Sequence, residues 1–134
     1  MNYRIAEGLE NLKTEDVERL LKTTYWANMR SAETTKKALQ NSVCYGVYVE
    51  GIEALVGFAR VITDHATAYY LCDGVIDEAY RHQGLGKALL SHIEKSPEYV
   101  GLRGFLITRD AQPFYQKFGF EVVNDRIMVK SPKR

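Results

Sequence analysis

Arg81, Gly84, Gly86 and Lys87 stand together in YRHQGLGKALL, the run from Tyr80 to Leu90. Two glycines one residue apart leave the backbone bare, which costs conformational entropy and calls for a reason. Two readings are open. One is a plain turn from a strand into a helix. The other is a loop whose amides grip phosphate at a helix N-terminus, where the helix dipole adds its attraction. On the second reading the N–H groups from Gln83 to Ala88, with Gly84, Leu85, Gly86 and Lys87 between them, converge on one anion. The glycines let it approach because no Cβ intervenes. Arg81 and Lys87 add mobile positive charge, and His82 lies in the same loop, within reach of a phosphate.

Two other phosphate-binding patterns fail on chemistry. A Walker A loop carries its first glycine where Arg81 stands here, and the magnesium-holding Ser or Thr where Ala88 stands. A dinucleotide fingerprint wants Gly or Ala in place of Leu89. It also wants an acid about 20 residues further on, where GLRGFLIT has none. The pattern that fits is Arg or Gln, two residues, Gly, one residue, then Gly or Ala.

Such a loop needs a strand before it and a helix after it, and the surrounding texture supplies both. NYRIAE alternates as a first strand. KTEDVERLLKTTYW reads as a helix with Thr14 as cap, acids in its first turn, and Val17, Leu20, Leu21 and Tyr25 on one face. RSAETTKKALQNS is a second helix with Ser31 as cap. VCYGVYVEG and EALVGFARVITD are β-rich and meet at Gly51 as a hairpin, and TAYYLCDGVI is a further strand. From Gly84, apolar residues recur at helical spacing until Pro97 stops the helix. GFLIT is a short buried strand. DAQPFYQKFG is a compact helix with Asp110 as cap and Gly119 as stop. FEVVNDRIMVK supplies a last strand or strand pair. The order predicts one domain over residues 1–134, an α/β or α+β layer structure around a mixed sheet.

The totals exclude several classes. Net charge is +1, with acids and bases interspersed, which argues against a broad nucleic-acid surface. Only the tail KSPKR is locally basic, and it is short enough to fray. No apolar run approaches the roughly 20 residues of a membrane span, and MNYRIAEGLENL lacks an apolar signal core. The expected location is the cytoplasm, with no membrane or nucleic-acid partner. Cys44 and Cys72 lie in no CxxC pair and beside no His-rich stretch, so both read as small buried residues, with no metal and no disulfide framework expected.

Three stretches in order resemble the GNAT family, the Gcn5-related N-acetyltransferases: VGFARVITD as a central strand, VIDEAYRHQGLGKALL as strand, loop and helix, and AQPFYQKFGFEVV as closing helix and strand. The similarity runs from about Tyr45 to Val129. It implies a GNAT fold, with a mixed, mostly antiparallel sheet splayed between its fourth and fifth strands and flanked by about four helices. It also implies acetyl-CoA as co-substrate. In this family the pantetheine arm pairs with the free edge of the fourth strand, a contact that falls on Val75, Ile76 and Asp77. A backbone N–H there, that of Val75, is expected to polarise the thioester carbonyl and stabilise the oxyanion, an effect worth roughly 3 kcal/mol in other acyl-transfer sites.

The implied reaction is direct attack by a primary amine of a small molecule or peptide. The resemblance gives the departing thiolate its proton from Tyr115, in the position of the family's helix tyrosine; the alternative for that side chain is packing. A phenol with pKa about 10 serves a thiol of about 8.5 only with help from its surroundings. Asp73, sharing a face with Val75, could take the amine proton, orient the acceptor, bind its charge, or simply pair with a base. Cys72, alternating to the opposite face, argues against an acyl-cysteine. The resemblance points to Tyr25, Trp26 and Arg30 for the acceptor wall; the alternatives are core or lid for the two aromatics, and for Arg30 either recognition of a carboxylate or a surface position. Where many relatives carry a cofactor-binding Asn, this chain has Thr108. Gly74, where a bulky residue is common, suits a bulge that opens the strand edge. A CoA-binding sensor or regulatory module without turnover is the alternative function, and a homodimer is a family habit.

Overall fold

The computed structural model describes residues 1–132, so that the last two residues of the KSPKR tail lie outside the described residues. The elements are β1 (Tyr3–Glu7), α1 (Thr14–Lys22), α2 (Ala32–Gln40), β2 (Val43–Val49), β3 (Gly57–Thr63), β4 (Ala68–Ile76), α3 (Leu85–Glu94), β5 (Arg103–Phe105) and α4 (Gln112–Gln116). The five strands form one sheet in the order β1-β2-β3-β4-β5. The first three pairings are antiparallel, and β4 runs parallel to β5. The expected layer structure around a mixed, mostly antiparallel sheet is what forms.

Apolar spacing decides the layers. Val17, Leu20 and Leu21 bury one stripe of α1 against one sheet face, where Leu39, Cys44, Phe58 and Val75 join them. Full burial of each such aliphatic side chain contributes about 1.5–3 kcal/mol. Leu85, Leu89, Leu90 and Ile93 of α3 pack on the other face with Val47, Val61 and Leu71. Every residue of β2 after Val43 is buried. Its unbroken apolar run is what a strand covered on both faces requires. No helix among the described residues is long and apolar enough to cross a membrane.

Several local expectations are corrected. Ser31 does cap α2, accepting from the Thr34 N–H at 3.1 Å. Thr14, however, is the first residue of α1, and Lys13 precedes it as a cap without a side-chain bond. Ala111, rather than Asp110, occupies the cap position of α4. FEVVNDRIMVK forms no strand among the described residues, and Val122, Ile127, Met128 and Val129 stay exposed. A strand needs an edge to pair with, and β5, three residues long and with Phe105 exposed, is shorter and less buried than GFLIT suggests.

Candidate functional site

Strands β4 and β5 pair only from Ala68 to Tyr70. Beyond Tyr70 the outer edge of β4 stands free as far as Ile76, and the sheet opens into a cleft of about 730 Å³. That size is in the range of small-molecule sites. The cause lies in β4 itself. Phe58 pairs with Val75 and Arg60 with Cys72, so Asp73 and Gly74 together oppose the single residue Ala59. This is a β-bulge, and Asp73 sits in it with φ +56°, a left-handed conformation unusual for a non-glycine residue.

The bulge has two consequences that alternation alone does not give. First, Cys72 lies beside Arg60, and Asp73 bonds to Arg60, so both project to the α1–α2 face; the expected separation of Cys72 from Asp73 is reversed. Burial pushes the Cys72 thiol up to about 11, which keeps it a poor nucleophile even so. Second, Asp77 donates its N–H to the Val56 carbonyl at 2.7 Å. By the two-residue period the Val75 N–H also points inward to β3. The Ile76 N–H therefore faces the cleft, and Val75 is not the outward donor. Arg81 Nε donates to the Ile76 carbonyl at 3.0 Å, which places that carbonyl on the open side too.

Lining the same cleft, Gly84 caps α3 with φ +83°, a conformation that favours glycine. His82, two residues earlier, also has positive φ, at +64°. The Ala88 N–H closes the helix by donating to the Gly84 carbonyl at 3.0 Å, so it is not one of the free donors. Among the described residues, the N–H groups of Gln83, Gly84, Leu85, Gly86 and Lys87 make no backbone bond outside the helix ladder, and the first helical turn offers them none within it. A Cβ on Gly86 would meet Ile76 and Phe114 at 3.7 and 3.8 Å, ordinary contact distances. Packing alone thus does not require glycine there. Exposed Arg81 and Lys87 flank the turn at the cleft mouth.

Helix α4 brings Tyr115 to the junction. Phe114, Tyr115 and Phe118 pack against the α3-side core, and Gly119, with φ +91°, ends the turn. An ideal Cβ on Gly74 would lie 3.5 Å from the Tyr115 hydroxyl, so the phenol reaches the splayed strand. That hydroxyl has no hydrogen-bond partner among the described residues, and the cleft contains it. Burial foremost, then Asp110 and Tyr25, raise it above the ordinary tyrosine range.

Asp73 is committed elsewhere. The residue is 6% exposed, and its carboxylate accepts from Arg60 Nε at 2.6 Å, Arg30 Nη1 at 2.8 Å and Trp26 Nε1 at 2.9 Å. Burial by itself would raise its pKa, but the bonds and charges of Arg30 and Arg60 outweigh burial and hold it below the usual carboxylate range. Of the roles open to this carboxylate, pairing with a base is the one observed. Tyr25 and Trp26 line the cleft as an edge-to-face pair, 5.0 Å between centroids, with Arg109 over the Tyr25 ring at 4.0 Å. Arg30 does not line the cleft.

Three further expected contacts stand apart from the cleft wall. Asp77 pairs with Arg19 at 3.0 Å and caps the 3₁₀ turn Glu78–Tyr80. Thr108 accepts from the Ala111 N–H at 3.1 Å and so shapes the entry into α4. Gln83 lies in the loop but its side chain is not part of the wall. Sequence reasoning missed Thr23, Thr24, Tyr80, Ala111 and Asp110 as cleft residues. Only Tyr80, adjoining the glycine loop, carried a local signal.

Residues 40–122 match the family described as acetyltransferase (GNAT) domain. The ycf52-like N-acetyltransferase of Prochlorococcus marinus is 32% identical over 121 residues, covering 87% of this chain and 67% of that protein. Three plant acetyltransferases match over only 27–30% of their own length. Among solved structures, a protein described as a GNAT-family acetyltransferase from Xanthomonas campestris pv. campestris superposes with TM-score 0.90 at 30% identity, covering 98% of this chain and 94% of that one. The aminoglycoside N-acetyltransferase AAC(6')-Iy, solved with CoA, shares the fold with TM-score 0.73 at 17% identity, covering 97% of this chain and 95% of that one.

Proposed function

The chain belongs to the GNAT acetyltransferase family, and from that premise we propose that it moves the acetyl group of acetyl-CoA to a primary amine of a small molecule or peptide. The observation that carries the reading is one cleft that brings together the amides from Gln83 to Lys87 at the start of α3, without backbone partners among the described residues, the free edge of β4 at Ile76, and the Tyr115 hydroxyl beside Gly74. These residues fit the co-substrate. A diphosphate suits the amides at the start of α3, where the helix dipole favours an anion. Arg81, Lys87 and His82 add donors at the mouth. A pantetheine arm suits the Ile76 edge, paired as an extra strand.

Acetyl-CoA supplies an acyl group activated as a thioester. The chain supplies position, one backbone dipole and one proton. With Ile76 facing outward, the next outward N–H along the extended edge is that of Gly74, which offers a donor to the thioester carbonyl beside Tyr115. The Tyr115 hydroxyl provides the proton for the departing sulfur. Tyr25 and Trp26 form the wall along which the amine approaches. The Asp73 carboxylate is occupied by two guanidinium groups, so the amine proton leaves to water in the cleft.

The test is thiol release from acetyl-CoA across a panel of primary amines. Release with one class of amine supports the reading and names the acceptor. CoA binding with no release from any amine would favour a binding module instead.

A further inference from the structure

We propose that Arg30 is a positioning residue: through Asp73 it holds the β4 bulge in the form that leaves the strand edge open to the cofactor, so that the segment 23–31 and the cofactor edge act as one unit. The inference rests on the reading of the cleft given above.

Asp73 adopts a left-handed conformation, uncommon at a non-glycine residue, and its surroundings fix it there. Four donors do so. Arg60 Nε reaches the carboxylate at 2.6 Å, and the same guanidinium is anchored through Nη1 on the Ser42 hydroxyl at 3.0 Å. Trp26 Nε1 and both Arg30 terminal nitrogens complete the set, at 2.9, 2.8 and 3.4 Å. Arg60 belongs to the rigid sheet. Trp26 and Arg30 belong to the irregular segment between α1 and α2, whose residues Thr23 to Trp26 line the cleft.

The bulge decides which amides point outward. Arg60 pairs with Cys72 before it and Phe58 with Val75 after it, so the extra residue shifts the alternation by one. With the bulge in place Ile76 faces the cleft. If the bulge relaxes, the inward and outward sets exchange. Arg30 lines no part of the cleft, and its side chain is 21% exposed. Any effect it has on the cofactor must pass through Asp73. By linkage, whatever factor bound cofactor adds to acceptor binding through this unit, bound acceptor adds to cofactor binding.

Calorimetric titration with CoA tests this on the wild type, Arg30→Met, Arg30→Lys and Met29→Ala. Arg30→Met leaves Asp73 its Arg60 partner, so no buried charge is stranded. We expect it to weaken CoA binding about fivefold or more. Arg30→Lys keeps the charge but not the fork, and should recover part of the loss. Met29→Ala, at a neighbouring exposed position without contact to Asp73, should bind as the wild type does. Loss of melting temperature with unchanged CoA affinity in Arg30→Met would overturn the inference and reduce Arg30 to a structural role. Should Arg30→Met not fold, the comparison passes to Arg30→Lys, where wild-type affinity overturns it equally. A wild type that binds no CoA would instead overturn the reading of the cleft, and this inference with it.

Discussion

The Tyr115 hydroxyl stands 3.5 Å from the point where a side chain on Gly74 would begin. A methyl group fits there as an ordinary contact, and a branched side chain does not. Gly74→Ala should therefore fold and bind CoA much as the wild type does. Gly74→Val should displace the phenol and lower turnover by about tenfold or more, since small misplacements of reacting groups are costly. Steady-state rates beside melting temperatures separate the two. Equal turnover in both variants would deny that this junction is where the chemistry occurs.

Tyr115→Phe removes the hydroxyl proposed as the proton donor and leaves the ring. General acids contribute about 10²–10⁴-fold, so turnover should fall within that span with little change in the KM for acetyl-CoA. The hydroxyl is raised above its ordinary range by burial first, then by Asp110 and Tyr25. Its acid form thus persists past the usual tyrosine value of about 10. Asp110→Asn removes a negative charge that disfavours the phenolate, and should move the alkaline limb of kcat to lower pH. A limb unmoved in that variant would contradict the assignment.

The glycine loop was legible because its chemistry is local: Gly84 needs its φ, Gly86 leaves room, and α3 begins at once. The layers were legible from periodicity, as Val17, Leu20 and Leu21 show. What stayed hidden depends on pairing between distant strands. The outward amide turned out to be that of Ile76 because Val75 pairs with Phe58 and the Asp77 N–H meets Val56. Cys72 and Asp73 share a face because a bulge breaks a period of two. Trp26 and Arg30 meet Asp73 across more than forty positions of sequence, a proximity no local pattern encodes. FEVVNDRIMVK had the composition of a strand and no edge to join.

Asp73 ties stability to pH. Its folded pKa is depressed, so its contribution is fully present above the unfolded value of about 3.9 and is lost as pH falls through the lower folded value. Asp73→Asn leaves Arg60 buried without its counter-charge and should cost about 3 kcal/mol near neutrality. The gap between wild type and variant, read as melting temperature against pH, should close in acid below about pH 4. A constant gap across that range would show that Asp73 acts by packing alone.

The two loop glycines should respond differently. Gly84→Val forces a β-branched residue into φ +83° and should lower stability by about 1 kcal/mol or more. Gly86→Ala has ordinary contact distances around its one added carbon, so its melting temperature should change little. Its side chain would occupy the approach to the free amides, and CoA affinity should drop about tenfold or more, toward the loss expected when an anion is kept off a helix N-terminus. Thermal melts with and without CoA distinguish the cases.

The most direct measurement is a crystal structure of the protein with bound CoA. The account predicts the diphosphate on the N–H groups between Gln83 and Lys87, the pantetheine along Ile76, and the thiol beside Tyr115. A diphosphate lodged away from the start of α3, or an arm that leaves the β4 edge untouched, would contradict it.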